Sequence, residues 1–214
     1  MIKVSIIAIF ISICSPAKEA LEFLKIGINA LNSGQYYEAV AYLDSAITLN
    51  PRLVKAYVFR GKAKSEIAMM ELAYFDRTLK FEIFCKEALQ DFNKSLELDP
   101  NDAQSYFERG KLRGVLYDKV GRLNDFNNAI KINPKYSEAF AQRCAAYRFD
   151  ANYVLALSDI NQAIKLEPDQ GWFYHIRGEL NIEMEQKEAA CNDWSLAIER
   201  GFTDSQKLLK KHCN

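Results

Sequence analysis

The residues with the most reactive side chains are few: the sequence of 214 residues contains two histidines and five cysteines. His175 and His212 lie far apart, and no HExxH zinc motif, glycine-rich phosphate loop or nucleophile elbow occurs. A Cys-His zinc site needs clustered ligands, whereas His212 and Cys213 are adjacent with no second pair nearby. The sequence therefore predicts no enzymatic activity, no bound metal and no cofactor.

Two cysteines near the carboxyl terminus, Cys191 and Cys213, are candidates for a disulfide. They lie on either side of an expected turn near Phe202, 11 residues before it and 11 residues after it. If the two flanking helices are antiparallel, an equal rise on each side brings the thiols to the same height, as a disulfide requires. The alternative is two reduced thiols in one interface.

Arginine and aspartate recur together at fixed places. The arginines are Arg60, Arg109, Arg143 and Arg177, and the aspartates are Asp91, Asp125, Asp159 and Asp193. Carboxylate matches the geometry of guanidinium, and each arginine has one aspartate. We therefore expect structural Arg–Asp pairs. The alternative interpretation treats the arginines as a ligand-binding stripe.

The elements that carry these residues repeat every 34 residues, except at one step of 49. An aromatic residue comes first: Phe23, Tyr57, Tyr106, Phe140 and Tyr174. A small residue follows: Gly27, Gly61, Gly110, Cys144 and Gly178. Alanine comes next (Ala39, Ala88, Ala156 and Ala190, with Arg122 in the third copy), and then a large residue: Leu43, Phe92, Phe126, Ile160 and Trp194. Pro51, Pro100, Pro134 and Pro168 end the first four copies. The helical spacing of these landmarks predicts two helices in each copy.

This order of landmarks resembles the tetratricopeptide repeat. Five copies span 20–53, 54–102, 103–136, 137–170 and 171–204, within an array predicted over 18–214 that ends in a capping helix at 205–212. The resemblance implies an all-α fold, a right-handed superhelical α-solenoid of antiparallel helix hairpins. It also implies a protein-interaction scaffold without catalysis of its own.

Two repeats are irregular. Repeat two has 15 extra residues between Gly61 and Ala88, in a segment without Gly or Pro between 66 and 84. We expect both of its helices to be about two turns longer than usual and to protrude as a hairpin around Asp76-Arg77-Thr78. In repeat three, Gly121-Arg122 indicates a turn about four residues late, with a longer first helix and a shorter second one.

Both ends of the chain carry signals of their own. Residues 1–17 have the order of a secretory signal peptide: Lys3, an apolar run over 4–14, and small residues before a cut after Ala17. A lipid anchor on Cys14 is the alternative, although Ile13 is bulky for such a site. We expect an exported protein, periplasmic or secreted, with no integral membrane span. At the other end, Thr203–Gln206 has the form of a capping box that begins the last helix.

A formal net charge of zero provides no global field for nucleic acid, so we expect a protein or peptide partner. First helices line the concave side of such arrays, and mixed charge with aromatic anchors suits an extended peptide or a partner's helix. The candidate groove residues are Lys55, Phe59, Lys62, Gln104, Glu108, Lys111, Glu138, Gln142, Ala145, Trp172, His175 and Glu179. The carboxylate clamp with which one branch of the family grips chaperone tails is not expected, because at most one basic residue is in place.

The extended hairpin of repeat two supports a second hypothesis, that of a structural subunit in an envelope or secretion assembly. Its interface candidates are Tyr74, Phe75 and Phe81. A sizeable exposed apolar patch usually marks an interface. The competing interpretation is that the extra turns bury these residues against each other.

Overall fold

The computed structural model describes residues 15–75 and 77–213, and within those ranges all regular secondary structure is helical. The helices are α1 (Pro16–Asn32), α2 (Tyr36–Leu49), α3 (Val54–Phe75), α4 (Leu79–Leu98), α5 (Ala103–Val115), α6 (Lys119–Ile132), α7 (Ser137–Phe149), α8 (Tyr153–Leu166), α9 (Gly171–Glu183), α10 (Lys187–Glu199) and α11 (Ser205–His212). The chain divides into two compact units after Asp91, within α4. Each unit is built from helix hairpins packed side by side, with α1, α2 and α3 in contact in the first and α5 to α11 in the second.

Most of the predicted signal peptide, residues 1–14, lies outside the described residues. The predicted cut after Ala17 falls in the first turn of α1, which Ser15 caps by accepting a hydrogen bond from the Lys18 amide. No helix among the described residues combines the length and the apolar character needed to cross a bilayer.

Four hairpins share one turn conformation. Its central residue has a positive φ: Gly34 at 76°, Tyr117 at 61°, Ala151 at 56° and Glu185 at 60°. The amide of the following residue donates back across the turn, as Asp118 does to the Arg113 carbonyl at 2.9 Å. This is the bonding of a Schellman cap, which ends the first helix of each hairpin at the same place.

The predicted late turn of repeat three is therefore wrong. Its helices α5 and α6 have 13 and 14 residues, the same lengths as α7 and α8 in repeat four. Gly121 lies inside α6, where its amide donates to the Asp118 carboxylate at 2.8 Å, and a Cβ there would collide with that carboxylate. The glycine serves the N-cap of α6, and Tyr117 makes the turn in a conformation that side chains rarely adopt.

Repeat two is extended in both helices, as the sequence indicates. Its helices α3 and α4 have 22 and 20 residues, against 13 or 14 in each helix from α5 to α10. The Thr78 hydroxyl accepts a hydrogen bond from the Phe81 amide at 3.1 Å and so caps the start of α4. Lys80 on α4 and Glu71 on α3 form an ion pair at 2.5 Å that ties the extension together.

In the hairpins of repeats one, three and five, the small landmark residue of the first helix lies directly against the large residue of the second. A Cβ built on Gly27 would lie 2.7 Å from Leu43 Cγ, and one on Gly110 would lie 2.8 Å from Phe126 Cε1. In repeat four, Cys144 takes the place of the glycine opposite Ile160 and is fully buried. Leu43 and Ile160 are isomeric side chains, so the shape of the large residue, and not its size alone, decides the space left for the small one.

We expect Gly178→Ala to lower the free energy of unfolding by about 1–3 kcal/mol, because its new Cβ would lie 2.5 Å from Trp194 Nε1. Trp194→Ile makes the large residue of repeat five the same as that of repeat four. In the double variant, the loss should be smaller than the sum of the single losses by about 1 kcal/mol. Guanidinium titrations followed by circular dichroism measure all three variants. Strictly additive losses would show that this contact does not constrain the hairpin.

Candidate functional site

The recurrent arginines are held within the scaffold. Arg109 donates to both carboxylate oxygens of Asp125, at 3.0 and 2.7 Å, and Asp125 is only 1% exposed. Arg143 and Arg177 bind Asp159 and Asp193 in the same two-pronged way. In the first unit, Arg60 on α3 binds Asp91 on α4 through Nε and Nη2.

Each of these arginines also reaches back to the preceding repeat, which the sequence analysis missed. The Nη1 group of Arg60 donates to Asp44 at 2.6 Å, and the Nη1 groups of the other three arginines donate to asparagine oxygens at 2.7 to 2.8 Å. The acceptors are Asp44, Asn93, Asn127 and Asn161. They recur with the same spacing as the other landmarks, which is the signal that could have revealed them.

The same guanidinium groups lie over the aromatic landmarks. The distance from Cζ to the ring centroid is 5.4 to 5.5 Å for Tyr57, Tyr106, Phe140 and Tyr174. The carboxylate and the second acceptor take three of the five N–H donors of each guanidinium group, and the ring covers one of its faces. The ligand-binding stripe is therefore not the interpretation that the structure favours.

The candidate groove residues of α3 belong to the first unit. There, Lys55 is exposed, while Phe59 and Lys62 are half-buried, and the Phe59 ring packs against the core of α1 and α2. In the second unit, Gln104 and Lys111 on α5 are half-buried, and Lys111 donates to Glu108 at 3.0 Å. Glu108 is only 6% exposed and is not an open groove residue.

The second unit presents a mixed face on α7 and α9. Glu138 is exposed, and Gln142 and Trp172 are half-buried, with the indole packed against the core between the two helices. Glu179 accepts a hydrogen bond from Arg148 at 2.6 Å, and Glu183 accepts another at 2.9 Å. The charges across this face are thus largely paired with one another.

His175 does not lie on the groove face, which corrects the sequence prediction. Its Nδ1 is 2.9 Å from the Ser205 hydroxyl, and its ring lies 4.9 Å from the Phe202 ring, under α11. When the repeats are aligned, position 175 corresponds to positions 107 and 141. Phe107 and Ala141 are buried where one hairpin packs on the next. The groove position one residue further on is Ile176, and α11 covers His175 as a further first helix would.

Phe149 lines two pockets. One, of about 310 Å³, is lined by Ala145, Arg148, Phe149 and Glu183 on α7 and α9. The other, of about 170 Å³, is lined by Gly114, Tyr117, Lys119, Arg122 and Phe149. Phe149 itself is 61% exposed. None of the sequence landmarks predicts these pockets, because Phe149 lies outside the repeat pattern.

The hairpin candidates of repeat two differ in exposure. Tyr74 and Phe75 are 76% and 68% exposed, and Leu79 is exposed beside them. Phe81 is only 1% exposed, so its assignment to an interface is wrong: its ring fills the inside of the extension. Both interpretations therefore apply in part, because the extra turns bury Phe81 but leave the tip apolar and open.

The structure joins Cys191 on α10 to Cys213 at the end of α11 in a disulfide. Cys85 and Cys144 are free and buried, and burial raises their pKa values to about 11 and about 12. Both are therefore neutral thiols near pH 7 and poor nucleophiles.

The predicted capping box is not formed: no side chain caps α11, and the Gln206 amide donates to the Thr203 carbonyl instead.

Residues 23–53 match the family model described as tetratricopeptide repeat (TPR). Among solved structures, a thermophilic TPR protein of Thermus thermophilus has a TM-score of 0.73 at 17% identity, over 91% of this chain and 98% of its own. The pilF protein of Pseudomonas aeruginosa has a TM-score of 0.71 at 15% identity, over 87% of this chain and 78% of its own. YrrB, described as a TPR protein with an unusual peptide-binding site, has a TM-score of 0.60 at 18% identity, over 94% and 95%. At these identities the likeness establishes the fold.

Proposed function

The chain contains a tetratricopeptide repeat and has the all-α fold of TPR proteins, and from this premise we propose that it is a non-catalytic scaffold that binds a peptide or a helix of a partner protein. The fold itself suggests protein–protein interaction. The peptide-binding site named for YrrB shows that a protein of this fold, similar over 94% of this chain, binds peptides. The groove face of the second unit is the proposed site.

The observation that carries this proposal is the pocket of about 310 Å³ between α7 and α9. It lies at the Ala145 position of the first-helix face, where the small side chain leaves space beside the exposed ring of Phe149. An apolar anchor of a peptide would enter this space, and the polar neighbours Gln142 and Glu138 would meet its backbone or side chains.

Ala145→Arg, which fills the pocket from an exposed position, should weaken peptide binding at least tenfold. Peptides are first selected from a random library on the wild-type protein, and their dissociation constants are then measured by calorimetry. Ser158→Arg adds the same side chain to an exposed position on α8 of the same repeat and is the matched control. Equal affinity of Ala145→Arg and Ser158→Arg would place peptide binding elsewhere.

A second candidate function rests on the tip of the repeat-two hairpin. We propose that Tyr74, Phe75 and Leu79 dock the protein on another subunit of an envelope or secretion assembly, or on a second copy. Large apolar side chains exposed together at the end of an extension favour an interface over a random surface. Phe81 and the Lys80–Glu71 ion pair would hold this tip in shape from within.

The double variant Tyr74→Asp/Phe75→Asp should abolish any self-association of the wild-type chain, because two charges would have to be desolvated in the contact. Size-exclusion chromatography with light scattering over a range of concentrations measures the mass of both proteins. The control is Val154→Asp/Leu155→Asp, which changes two adjacent exposed apolar residues on α8 of the second unit. If the wild type and the double variant are both monomeric and bind the same partner equally, the hairpin has no docking role.

We further propose that the protein is exported to the periplasm or secreted. The signal-like residues 1–17 support this, and so does the disulfide between Cys191 and Cys213, because disulfides persist mainly in oxidising compartments.

In bacterial cells quenched with acid and alkylated under denaturing conditions, the full chain should show Cys191 and Cys213 protected until reduction. A chain lacking residues 2–17 should show both cysteines alkylated, because it stays where thiols are kept reduced. Mass spectrometry of the peptides reads both states, and the free thiols Cys85 and Cys144 serve as internal controls. A reduced pair in the full chain would argue against export.

A further inference from the structure

Arg122 occupies a place that is alanine in the other repeats. Its equivalents Ala39, Ala88, Ala156 and Ala190 are all fully buried. Space for the longer side chain comes from Gly114 on α5, where a Cβ would lie 3.0 Å from Arg122 Cδ. The stem of Arg122 thus passes between α5 and α6, and its guanidinium group reaches the smaller pocket beside Phe149.

The guanidinium group of Arg122 has few hydrogen-bond partners. In this it differs from the guanidinium groups of the recurrent arginines Arg60, Arg109, Arg143 and Arg177. Its Nε is buried and has no hydrogen-bond partner among the described residues. Its Nη2 donates to the Ala146 carbonyl at 3.5 Å, the outer limit of a hydrogen bond. The Arg122 Cζ lies 5.8 Å from the Phe149 ring centroid, which provides a cation–π contact but no acceptor. A buried donor without a partner is costly, and an anion in the pocket would supply an acceptor to the part of the guanidinium group that lines it.

Among the described charged side chains around the pocket, one positive charge, that of Arg122, has no paired carboxylate. Lys119, which also lines it, is paired with Asp150 at 2.8 Å, and nearby Arg113 is paired with Asp125 at 2.8 Å and with Asp118 at 3.4 Å. Arg122 remains as the charge that these pairs leave uncompensated. A carboxylate, with one negative charge and two oxygens, matches a guanidinium group in charge and in geometry. A phosphate dianion would leave excess negative charge beside Asp118 and Asp150.

The walls of the pocket are aromatic. Tyr117 and Phe149 are both exposed large side chains, and Lys119 Nζ lies 4.8 Å from the Phe149 ring centroid. An apolar side chain next to the carboxylate would pack between these rings. Because Phe149 lines both this pocket and the groove pocket, a peptide held beside Ala145 would be close to Arg122.

We propose that the Arg122 pocket binds a carboxylate of the partner peptide that has an apolar side chain next to it. The inference rests on the proposed peptide-binding function and adds the chemistry that one end of the groove recognises. The site differs from a clamp of several first-helix basic residues, because its cation comes from the second helix of repeat three. The carboxylate belongs either to the chain terminus or to an acidic side chain.

The test is a titration of the full chain labelled with ¹⁵N-arginine, followed through the Arg122 Nε–H signal in two-dimensional NMR. That signal is assigned by its loss in Arg122→Ala, which restores the alanine of the other repeats. The probes are N-acetyl-leucine, N-acetyl-leucinamide, N-acetyl-glutamic acid α-amide and inorganic phosphate. Lys187→Ala, at the place in repeat five that Lys119 has in repeat three, removes a cation from an exposed site and is the control variant.

We expect N-acetyl-leucine to shift the Arg122 signal saturably and N-acetyl-leucinamide to bind at least tenfold more weakly. Fluorescence or calorimetric binding of N-acetyl-leucine should be lost in Arg122→Ala and unchanged in Lys187→Ala. Tighter binding of the glutamic acid amide than of N-acetyl-leucine would assign the carboxylate to an acidic side chain, and the reverse would assign it to a chain terminus. Equal binding of acid and amide, tighter binding of phosphate, or unchanged binding in Arg122→Ala would each overturn the proposal.

Failure of this inference and failure of the proposed function give different results. If library peptides bind the wild-type protein and Arg122→Ala equally, the groove function stands and the carboxylate pocket is rejected. If N-acetyl-leucine binds through Arg122 but no library peptide binds, the pocket stands and the peptide groove is rejected.

Discussion

The close approach of the two helices in the hairpins of repeats one, three and five is the constraint on which the other contacts depend. Gly110 meets Phe126, and the residues directly before them, Arg109 and Asp125, form a buried two-pronged ion pair. Both contacts join neighbouring residues on the same two helices. They therefore require the same distance between the two helix axes. A larger residue in place of the glycine would separate the helices and weaken the ion pair together with the packing.

Repeat one shows that the Arg–Asp ion pair is less essential to a hairpin than the close approach of its two helices. It has Ile26 and Tyr42 where the other repeats have the arginine and the aspartate. The Tyr42 ring lies 6.4 Å from Phe23, stacked on the aromatic landmark that a guanidinium covers elsewhere. Replacing a buried ion pair by apolar groups of similar shape is often nearly neutral in free energy. The close contact itself is kept, between Gly27 and Leu43.

The geometry of the hairpin also explains why the arginines of the first helices and Arg122 on a second helix have different surroundings. An arginine on the first helix has the aspartate of its own hairpin, the acceptor of the preceding repeat and an aromatic ring within reach, so it stabilises the stack and leaves little for recognition. Arg122 is on the second helix, near the turn, where none of these acceptors is available among the described residues. The position of a cation in the hairpin, and not its residue type, thus separates the structural arginines from the one that we propose binds a carboxylate.

The sequence by itself determined the contacts inside a repeat: the helix pairs and the Arg–Asp partners follow from the constant spacing, and the extension of repeat two follows from the one step that departs from it. It misplaced the turn of repeat three, because Gly121 resembles a turn residue although it serves the N-cap of α6, and Tyr117 makes the turn. Only the tertiary structure decided which side chains are open, since exposure depends on what the next element covers. Thus α11 covers part of the half-buried His175, the inside of the extension hides Phe81, and Phe149 lines two pockets whose walls come in part from the repeats before and after its own.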